Sequence, residues 1–92
     1  MGGLEDMTQG TQRDLKEVRS EGADIRIGKM GLTEGVKDEI RRCLKDHGIV
    51  KVKLLDKSLD RWKTAEITAR ETESELVEVR GRTFILRRND SH

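Results

Sequence analysis

A short loop bracketed by two glycines separates a strand pattern from a helix pattern early in the chain. Residues 25–27 alternate apolar and polar side chains, which predicts a half-buried strand. The loop is Gly28-Lys29-Met30-Gly31, and Thr33 after it predicts a helix N-cap. Glycines let a main chain approach a ligand closely, and a helix N-terminus offers unpaired N–H groups with a partial positive charge. The stretch can therefore hold a phosphate backbone, although glycine pairs also flank many ordinary solvated turns.

The helix predicted after this loop has a well-defined apolar face. Val36, Ile40 and Leu44 recur at four-residue spacing, as the buried face of an amphipathic helix requires. Gly48 follows the last periodic residue, which is where a glycine commonly ends a helix. We therefore expect one side of this helix to pack against a sheet.

Two further features of this helix bear on function. Lys37 and Arg41 lie four residues apart on a second face. Gly35 occupies the first turn, where glycine costs up to about 1 kcal/mol relative to alanine. We expect something to offset that cost, either tight packing around Gly35 or the close approach of a ligand.

Periodicity predicts five further elements in the rest of the chain. Alternating or β-branched segments predict strands, and apolar spacing of three to four residues predicts helices. Gly81-Arg82 predicts a tight hairpin turn between the last two strands. The elements are a short helix at residues 12–21, strands at 49–55, 76–79 and 83–86, and a helix at 59–73.

This order of elements predicts an α/β two-layer domain of the type (α)βαβαββ. Parallel strands joined by right-handed crossovers are the rule for such units, so the first three strands should share one direction. The hairpin makes the fourth strand antiparallel, and its near-continuous apolar run predicts a central position. We expect a mixed four-stranded sheet with the helices on one face. The domain should span residues 12–88, between a flexible tail at 1–11 and a short tail at 89–92.

Positive charge is concentrated in one segment of the chain. The net charge is only +1, but residues 25–57 carry nine basic and five acidic side chains. Lys51 and Lys53 point to one side of the second strand, away from its apolar positions. Clustered cations favour a polyanion as ligand. Because 40% of the residues are charged, such a cluster can also arise by chance.

Catalytic, metal-binding and membrane-spanning functions have little support in the sequence. Cys43 lies on the apolar helix face, and the two histidines form no zinc-ligand spacing with it. We find no acid–base pair, no nucleotide-binding lysine motif, no apolar run of 18 residues and no signal-peptide pattern. We therefore expect a non-enzymatic cytoplasmic protein with no cofactor and no metal, and a lone cysteine suits a reducing compartment.

The scarcity of aromatic residues limits how nucleic acid could be read. Trp62 and Phe84 are the two aromatic residues, and both fit core positions. A surface that stacks on single-stranded bases needs exposed aromatic rings. We therefore expect any RNA contact to involve mainly phosphates, sugars and shape.

The glycine loop and the segments after it resemble one known family. Residues 28–36 resemble the signature of the CRM domain (chloroplast RNA splicing and ribosome maturation), whose stand-alone bacterial and archaeal members are the YhbY proteins. The similarity covers roughly residues 15–88. The N-terminal helix is shorter and more acidic than is usual in the family, and residues 58–69 match it only loosely. The other matching segments are His47, residues 49–53, 71–72, 75–79 and 81–87.

The resemblance implies an RNA-binding module with a fold similar to the C-terminal domain of the third bacterial initiation factor. It also implies a loop used like that of KH domains. Family members associate with large-subunit ribosomal RNA precursors, and plant relatives act in intron splicing. We therefore expect a monomer that binds ribosomal RNA or a pre-ribosomal particle during ribosome assembly. The alternative is a protein-interaction module that docks a ribosomal or other protein partner.

The residues expected to contact RNA are those of the loop, the N-cap of the following helix and the surrounding cations. They are Gly28, Lys29, Met30, Gly31, Thr33, Lys37, Arg41, Lys51, Lys53, Arg82, Arg87 and Arg88.

Overall fold

The computed structural model describes residues 14–89. Three helices and four strands lie in this range and follow the predicted order. The predicted N-terminal tail, and all but the first residue of the predicted C-terminal tail, lie outside the described residues. The elements are α1 (Leu15–Ser20), β1 (Ile25–Ile27), α2 (Glu34–His47), β2 (Ile49–Leu54), α3 (Arg61–Glu71), β3 (Ser74–Arg80) and β4 (Thr83–Arg88).

The four strands form one mixed sheet in the order β1-β2-β4-β3. β1 and β2 are parallel, whereas β4 is antiparallel to both of its neighbours, β2 and β3. The first three strands therefore run in one direction. β4 lies inside the sheet, as its apolar run predicts. These pairings confirm the predicted mixed four-stranded sheet.

α2 forms for the reasons visible in the sequence. The Thr33 hydroxyl accepts a hydrogen bond from the Val36 N–H at 3.2 Å, which satisfies one of the free donors of the first turn. Gly48 adopts a φ of 80° and ends the helix, a conformation that glycine reaches without steric cost. Ile40 and Leu44 are buried against the sheet. The local signals and the tertiary contacts therefore agree along this helix.

α2 and α3 cover one face of the sheet and enclose the main core. Alternate strand positions point toward this face, because successive side chains in a strand alternate sides. Phe84, at 1% exposure, is the largest fully buried side chain of the described residues. The strand residues in this core are Ile25, Ile27, Val50, Val52, Leu54, Phe84 and Leu86, and the helices add Ile40, Leu44, Ala65 and Ala69.

The short helix α1 lies on the opposite face, which we call the open face. Its Val18 packs with Ile49 and Ile85, two strand residues that point away from the main core. The prediction of helices on one face is therefore correct for α2 and α3 and does not hold for α1. The physical reason is that Ile49 and Ile85 leave apolar surface on the open face, and Val18 removes it from water.

α3 is shorter than predicted, and one of its residues is more exposed than expected. The helix begins after Asp60, whose carboxylate accepts the Lys63 N–H at 3.0 Å. The expectation that both aromatic residues lie in the core is correct for Phe84 and wrong for Trp62, which is 52% exposed. Trp62 lies in the first turn of α3, at the end of the sheet where the strands stop. Within residues 14–89 no helix has the length and apolar character needed to cross a membrane.

Candidate nucleic-acid interface

Three connecting segments meet at one edge of the sheet, which we call the carboxyl edge. β1, β2 and β3 end there, and β4 begins there. The Leu55 N–H donates to the Ile27 carbonyl at 2.9 Å, and the Leu54 N–H donates to the Arg82 carbonyl at 2.7 Å. These bonds hold the loop after β1, the loop after β2 and the β3–β4 turn next to one another. The carboxyl edge is therefore a defined surface built from three separate parts of the chain.

The predicted glycine loop forms a tight turn at this edge. The Gly31 N–H donates to the Gly28 carbonyl at 3.0 Å, and Gly31 adopts a φ of 75°, which favours glycine. Lys29 and Met30 occupy the tip and are exposed, Met30 to 84%. The Lys29 side chain forms no hydrogen bond or ion pair with another residue of the described range. The loop therefore presents an available cation to solvent.

Gly28 of this loop and Gly35 in the following helix are not required by the fold. A Cβ on Gly28 would meet no atom within 4 Å, and one on Gly35 would meet only the Thr33 hydroxyl oxygen at 3.9 Å. Neither glycine has a positive φ. Tight packing therefore does not explain Gly35. No contact within residues 14–89 offsets the lower helix propensity of glycine at this position. The other explanation, close approach of a ligand, remains a prediction.

A row of three cations crosses the open face next to the carboxyl edge. Arg26 of β1 is in register with Lys53 of β2, Lys53 with Thr83 of β4, and Thr83 with Arg80 of β3. We call Arg26, Lys53 and Arg80 the cation row. Neighbouring strands lie about 4.8 Å apart, so the row is about 14 Å wide. All three side chains are exposed, and none forms a hydrogen bond or ion pair with another described residue.

The cation row is electrostatically costly for the isolated protein. Arg26 and Lys53 lie opposite each other on adjacent strands, and like charges so placed repel by roughly 0.2–1 kcal/mol. Sequence reasoning singled out Lys53 and missed Arg26 and Arg80. Their alternation with apolar neighbours placed each on one side of its strand, but only the register of the sheet brings them into one line. Unpaired cations held together on a rigid sheet indicate a site for an anion with several charges.

The acidic groups at the carboxyl edge are already used in local structure. The Asp56 carboxylate accepts the Ser58 N–H at 2.9 Å and the Ser58 hydroxyl at 2.8 Å. These bonds hold the pKa of Asp56 below its ordinary value. Asp60 caps α3 in the same way. Neither of these carboxylates forms an ion pair with a member of the cation row.

Arg82, a predicted contact residue at this edge, binds the neighbouring loop instead of pointing freely into solvent. Its Nη2 donates to the carbonyls of Asp56 and Leu59, the latter at 3.3 Å. The guanidinium is well suited to this task because its planar set of donors can hold two carbonyls at once. Arg82 therefore fixes the loop after β2, and its availability to an external ligand is reduced.

Two predicted contacts on α2 are engaged with acidic groups. Lys37 Nζ lies 2.7 Å from a Glu34 carboxylate oxygen and 3.3 Å from one of Glu71. The hydrogen bonds raise the pKa of Lys37 and lower the pKa of Glu34. Arg41 pairs with Asp38 at 3.0 Å and donates to the Glu71 carbonyl at 2.9 Å. Both cations therefore connect α2 to the end of α3.

Three other predicted contacts lie away from the glycine loop. Lys51 Nζ donates to the carbonyls of Arg19 and Glu21, at 3.0 and 2.7 Å, and so caps the end of α1. Arg87 is in register with Ile49, at the opposite edge of the sheet and about 17 Å along β2 from Leu54. Arg88, the next residue, donates to the Lys45 carbonyl at 3.2 Å. The structure therefore groups the loop, Thr33, Lys53 and Arg82 at one edge and separates Arg87 and Arg88 from them.

Metal-ion chemistry has no visible site in the described range. No group of three or more histidine, cysteine, aspartate or glutamate side chains in residues 14–89 is arranged to hold a metal ion. Cys43 is partly buried, and its Sγ lies 3.8 Å from the Ile49 carbonyl oxygen. The arrangement that stands out is therefore cationic rather than metal-binding.

Comparisons with known proteins agree on one family. The model of the CRS1 / YhbY (CRM) domain matches residues 7–88. The chain is 33% identical over 85 residues to the Pseudomonas aeruginosa protein named "Probable RNA-binding protein PA4753", covering 87% of this chain and 82% of that protein. Its fold is similar to the solution structure of "the hypothetical protein SAV1595 from Staphylococcus aureus, a putative RNA binding protein", with a TM-score of 0.71 and 27% identity. That similarity covers 91% of this chain and 90% of the other.

Proposed function

The chain belongs to the CRS1/YhbY (CRM) domain family, and from that premise we propose that it is an RNA-binding protein whose contact surface is the carboxyl edge. The names of the two similar proteins support RNA as the class of ligand. The observation that carries the choice of surface is the cation row beside the glycine loop. Arg26, Lys53 and Arg80 are exposed and held in register by the sheet, and none of them forms an ion pair with a described residue, although Glu78 attracts Arg80 through space. Such cations neutralise phosphates and supply most of the affinity for a nucleic-acid backbone.

The glycine loop adds main-chain donors to these side chains. Gly28 and Gly35 carry no side chain, and the space around each is open, so an RNA backbone can approach closely there. The first turn of α2 carries unpaired N–H groups and the positive end of the helix dipole. In this proposal the glycine loop and the N-terminus of α2 hold one phosphate. The cation row holds the phosphates that follow it along the RNA strand.

The RNA that we propose is large-subunit ribosomal RNA or its precursor, bound during ribosome assembly in the cytoplasm. The resemblance of this sequence to the stand-alone members of the family supports this choice of RNA. The proposed role is non-catalytic and needs no cofactor. In vivo crosslinking followed by sequencing of the bound RNA tests it. Reads should be enriched in large-subunit ribosomal RNA, and an even distribution over messenger RNA would remove the ribosomal part of the proposal.

Docking of a protein partner is the second candidate, because the carboxyl edge also exposes apolar side chains such as Met30. Salt dependence separates the two. For single-stranded RNA, log Kd should rise with log salt concentration by about 0.7 per neutralised phosphate. The measurement is fluorescence anisotropy of a labelled ribosomal RNA fragment between low and physiological salt. An affinity that does not change with salt would contradict phosphate binding and favour the protein-docking alternative.

A further inference from the structure

The large apolar side chains that are exposed within residues 14–89 all lie at the carboxyl edge. They are Met30 at 84%, Leu55 at 53% and Trp62 at 52%. Met30 is at the tip of the glycine loop, Leu55 directly follows β2, and Trp62 is in the first turn of α3. Exposed apolar groups that are gathered among charged residues mark a site of interaction. These exposed apolar side chains and the cation row therefore lie at the same end of the sheet.

The first turn of α3, which carries Trp62, is held against the β3–β4 turn. Arg61, the residue before it, donates from Nη1 to the Gly81 carbonyl at 3.1 Å. Gly81 directly follows Arg80, the last member of the row. The start of α3 is therefore fixed to the β3–β4 turn, so the position of Trp62 relative to Arg80 is set by the fold. α3 covers the core face and the cation row lies on the open face, so the first turn of α3 and Arg80 flank the carboxyl edge from the two sides of the sheet.

This combination matches the chemistry of one unpaired nucleotide. The base has a flat apolar face that can stack on an indole, and its phosphate can pair with a cation. Bases inside an A-form duplex are stacked on their neighbours and cannot stack on a side chain. We propose that Trp62 stacks on an unpaired base of the RNA whose phosphates lie along the cation row. This inference rests on the proposed function and narrows its ligand to RNA with single-stranded nucleotides.

The chain offers a direct optical test, because Trp62 is its one tryptophan and it contains no tyrosine. The full chain is titrated with a ten-nucleotide single-stranded RNA of mixed sequence and, separately, with the same sequence as a blunt duplex. Tryptophan emission reports stacking, and anisotropy of a labelled RNA reports binding. We expect single-stranded RNA to quench the emission in step with binding. The duplex should bind more weakly and leave the emission nearly unchanged.

Three substitutions of Trp62 distinguish a loss of base stacking from a loss of apolar volume and from a loss of folding. Trp62→Ala removes the ring, Trp62→Leu keeps apolar volume without a π face, and Trp62→Phe keeps a smaller aromatic face. The alanine and leucine variants should bind single-stranded RNA on the order of tenfold more weakly, and the phenylalanine variant should be intermediate. Far-UV circular dichroism melts show whether each variant is folded. If Trp62→Ala does not fold, Trp62→Leu and the wild-type fluorescence titration still decide the question.

The outcomes distinguish this inference from the proposed function. Salt-dependent RNA binding with unchanged Trp62 emission and full affinity in Trp62→Leu would overturn stacking and leave the proposed function standing. Equal quenching by single strand and duplex would overturn the preference for unpaired bases. No RNA binding by the folded wild-type chain would overturn both.

Discussion

Arg19 of α1 and Glu78 of β3 form an ion pair across the open face, with Nη2 and Nε lying 2.7 and 3.0 Å from the same carboxylate oxygen. The pair fixes α1 to the half of the open face that lies away from the carboxyl edge. Together with the packing of Val18 on Ile49 and Ile85, it leaves the cation row uncovered. The extent of the available sheet surface is therefore set by the docking of α1.

The Arg19–Glu78 pair predicts a loss of stability in acid. The hydrogen bond from Arg19, followed by the attraction of nearby cations, lowers the pKa of Glu78 in the folded protein. A lowered folded pKa stabilises the fold at pH values above the unfolded pKa of about 4.3, and that contribution disappears as the pH falls through the folded pKa. Thermal melts between pH 7 and pH 3 should therefore show wild type more stable than Glu78→Gln at neutral pH, with the difference vanishing in acid. A difference that persists at pH 3 would show that the charge of Glu78 is not responsible.

The cation row predicts opposite effects on binding and on stability. Lys53→Glu should weaken RNA binding on the order of tenfold and reduce the salt slope by about 0.7, because a phosphate contact is lost. The same change places a carboxylate opposite Arg26, so the free energy of unfolding should rise by roughly 0.2–1 kcal/mol. Anisotropy and urea unfolding measure the two quantities.

Arg70→Glu is the matched control for Lys53→Glu. Arg70 is exposed in the last turn of α3, and its substitution changes the net charge by the same amount. RNA affinity should change little in this variant, because Arg70 lies away from the carboxyl edge. Equal losses in both variants would mean that overall charge, and not the cation row, governs binding.

Substitutions at the tip of the glycine loop should remove RNA binding without lowering the stability of the domain. Lys29→Asp combined with Met30→Asp should abolish RNA binding, because two carboxylates would repel the phosphate at the tip. Both side chains are exposed, so the melting temperature should stay nearly constant. The Lys29→Ala/Met30→Ala pair, which removes contacts without adding repulsion, should retain an intermediate affinity. Unaltered binding in the aspartate pair would exclude the loop from the site.

Replacing Gly35 should raise the stability of the domain and lower its affinity for RNA. Gly35→Ala should stabilise the domain by up to about 1 kcal/mol, since alanine is the better helix former and its Cβ has space. RNA affinity should fall if the backbone of a ligand approaches this turn closely. Gly22→Ala serves as the control, because Gly22 also has open space and lies at the far end of β1. A stabilised Gly35→Ala variant with full affinity would contradict close approach at this position.

Arg82 predicts a structural effect at the carboxyl edge. Arg82→Lys should lower the free energy of unfolding by about 1–2 kcal/mol, because one ammonium group cannot reproduce the planar contacts to the Asp56 and Leu59 carbonyls. Urea unfolding measures the loss. RNA affinity of the folded variant then tests the separate prediction that Arg82 contacts RNA. Wild-type stability in Arg82→Lys would show that these carbonyl contacts do not hold the loop.

Helix and strand positions were predictable because they depend on neighbouring residues. Thr33 and Gly48 mark the ends of α2 through local hydrogen bonding and backbone conformation. The apolar run at residues 83–86 predicted that β4 lies inside the sheet, since both faces of that strand need cover. Trp62 was not predictable in the same way. Helical spacing placed it on the apolar side of α3, but in the folded domain it is 52% exposed.

The sequence by itself determined the class of this protein: an α/β domain with a glycine loop between β1 and α2, in a family of RNA-binding type by resemblance. Periodicity and turn chemistry carry that information because they act over a few residues. Only the tertiary structure decided which cations remain available. Arg26, Lys53 and Arg80 come into one row through strand register, whereas Lys37 and Lys51 are engaged by partners distant in the chain. The residue type determines the charge of a side chain. Whether that charge is paired depends on neighbours that only the fold brings close.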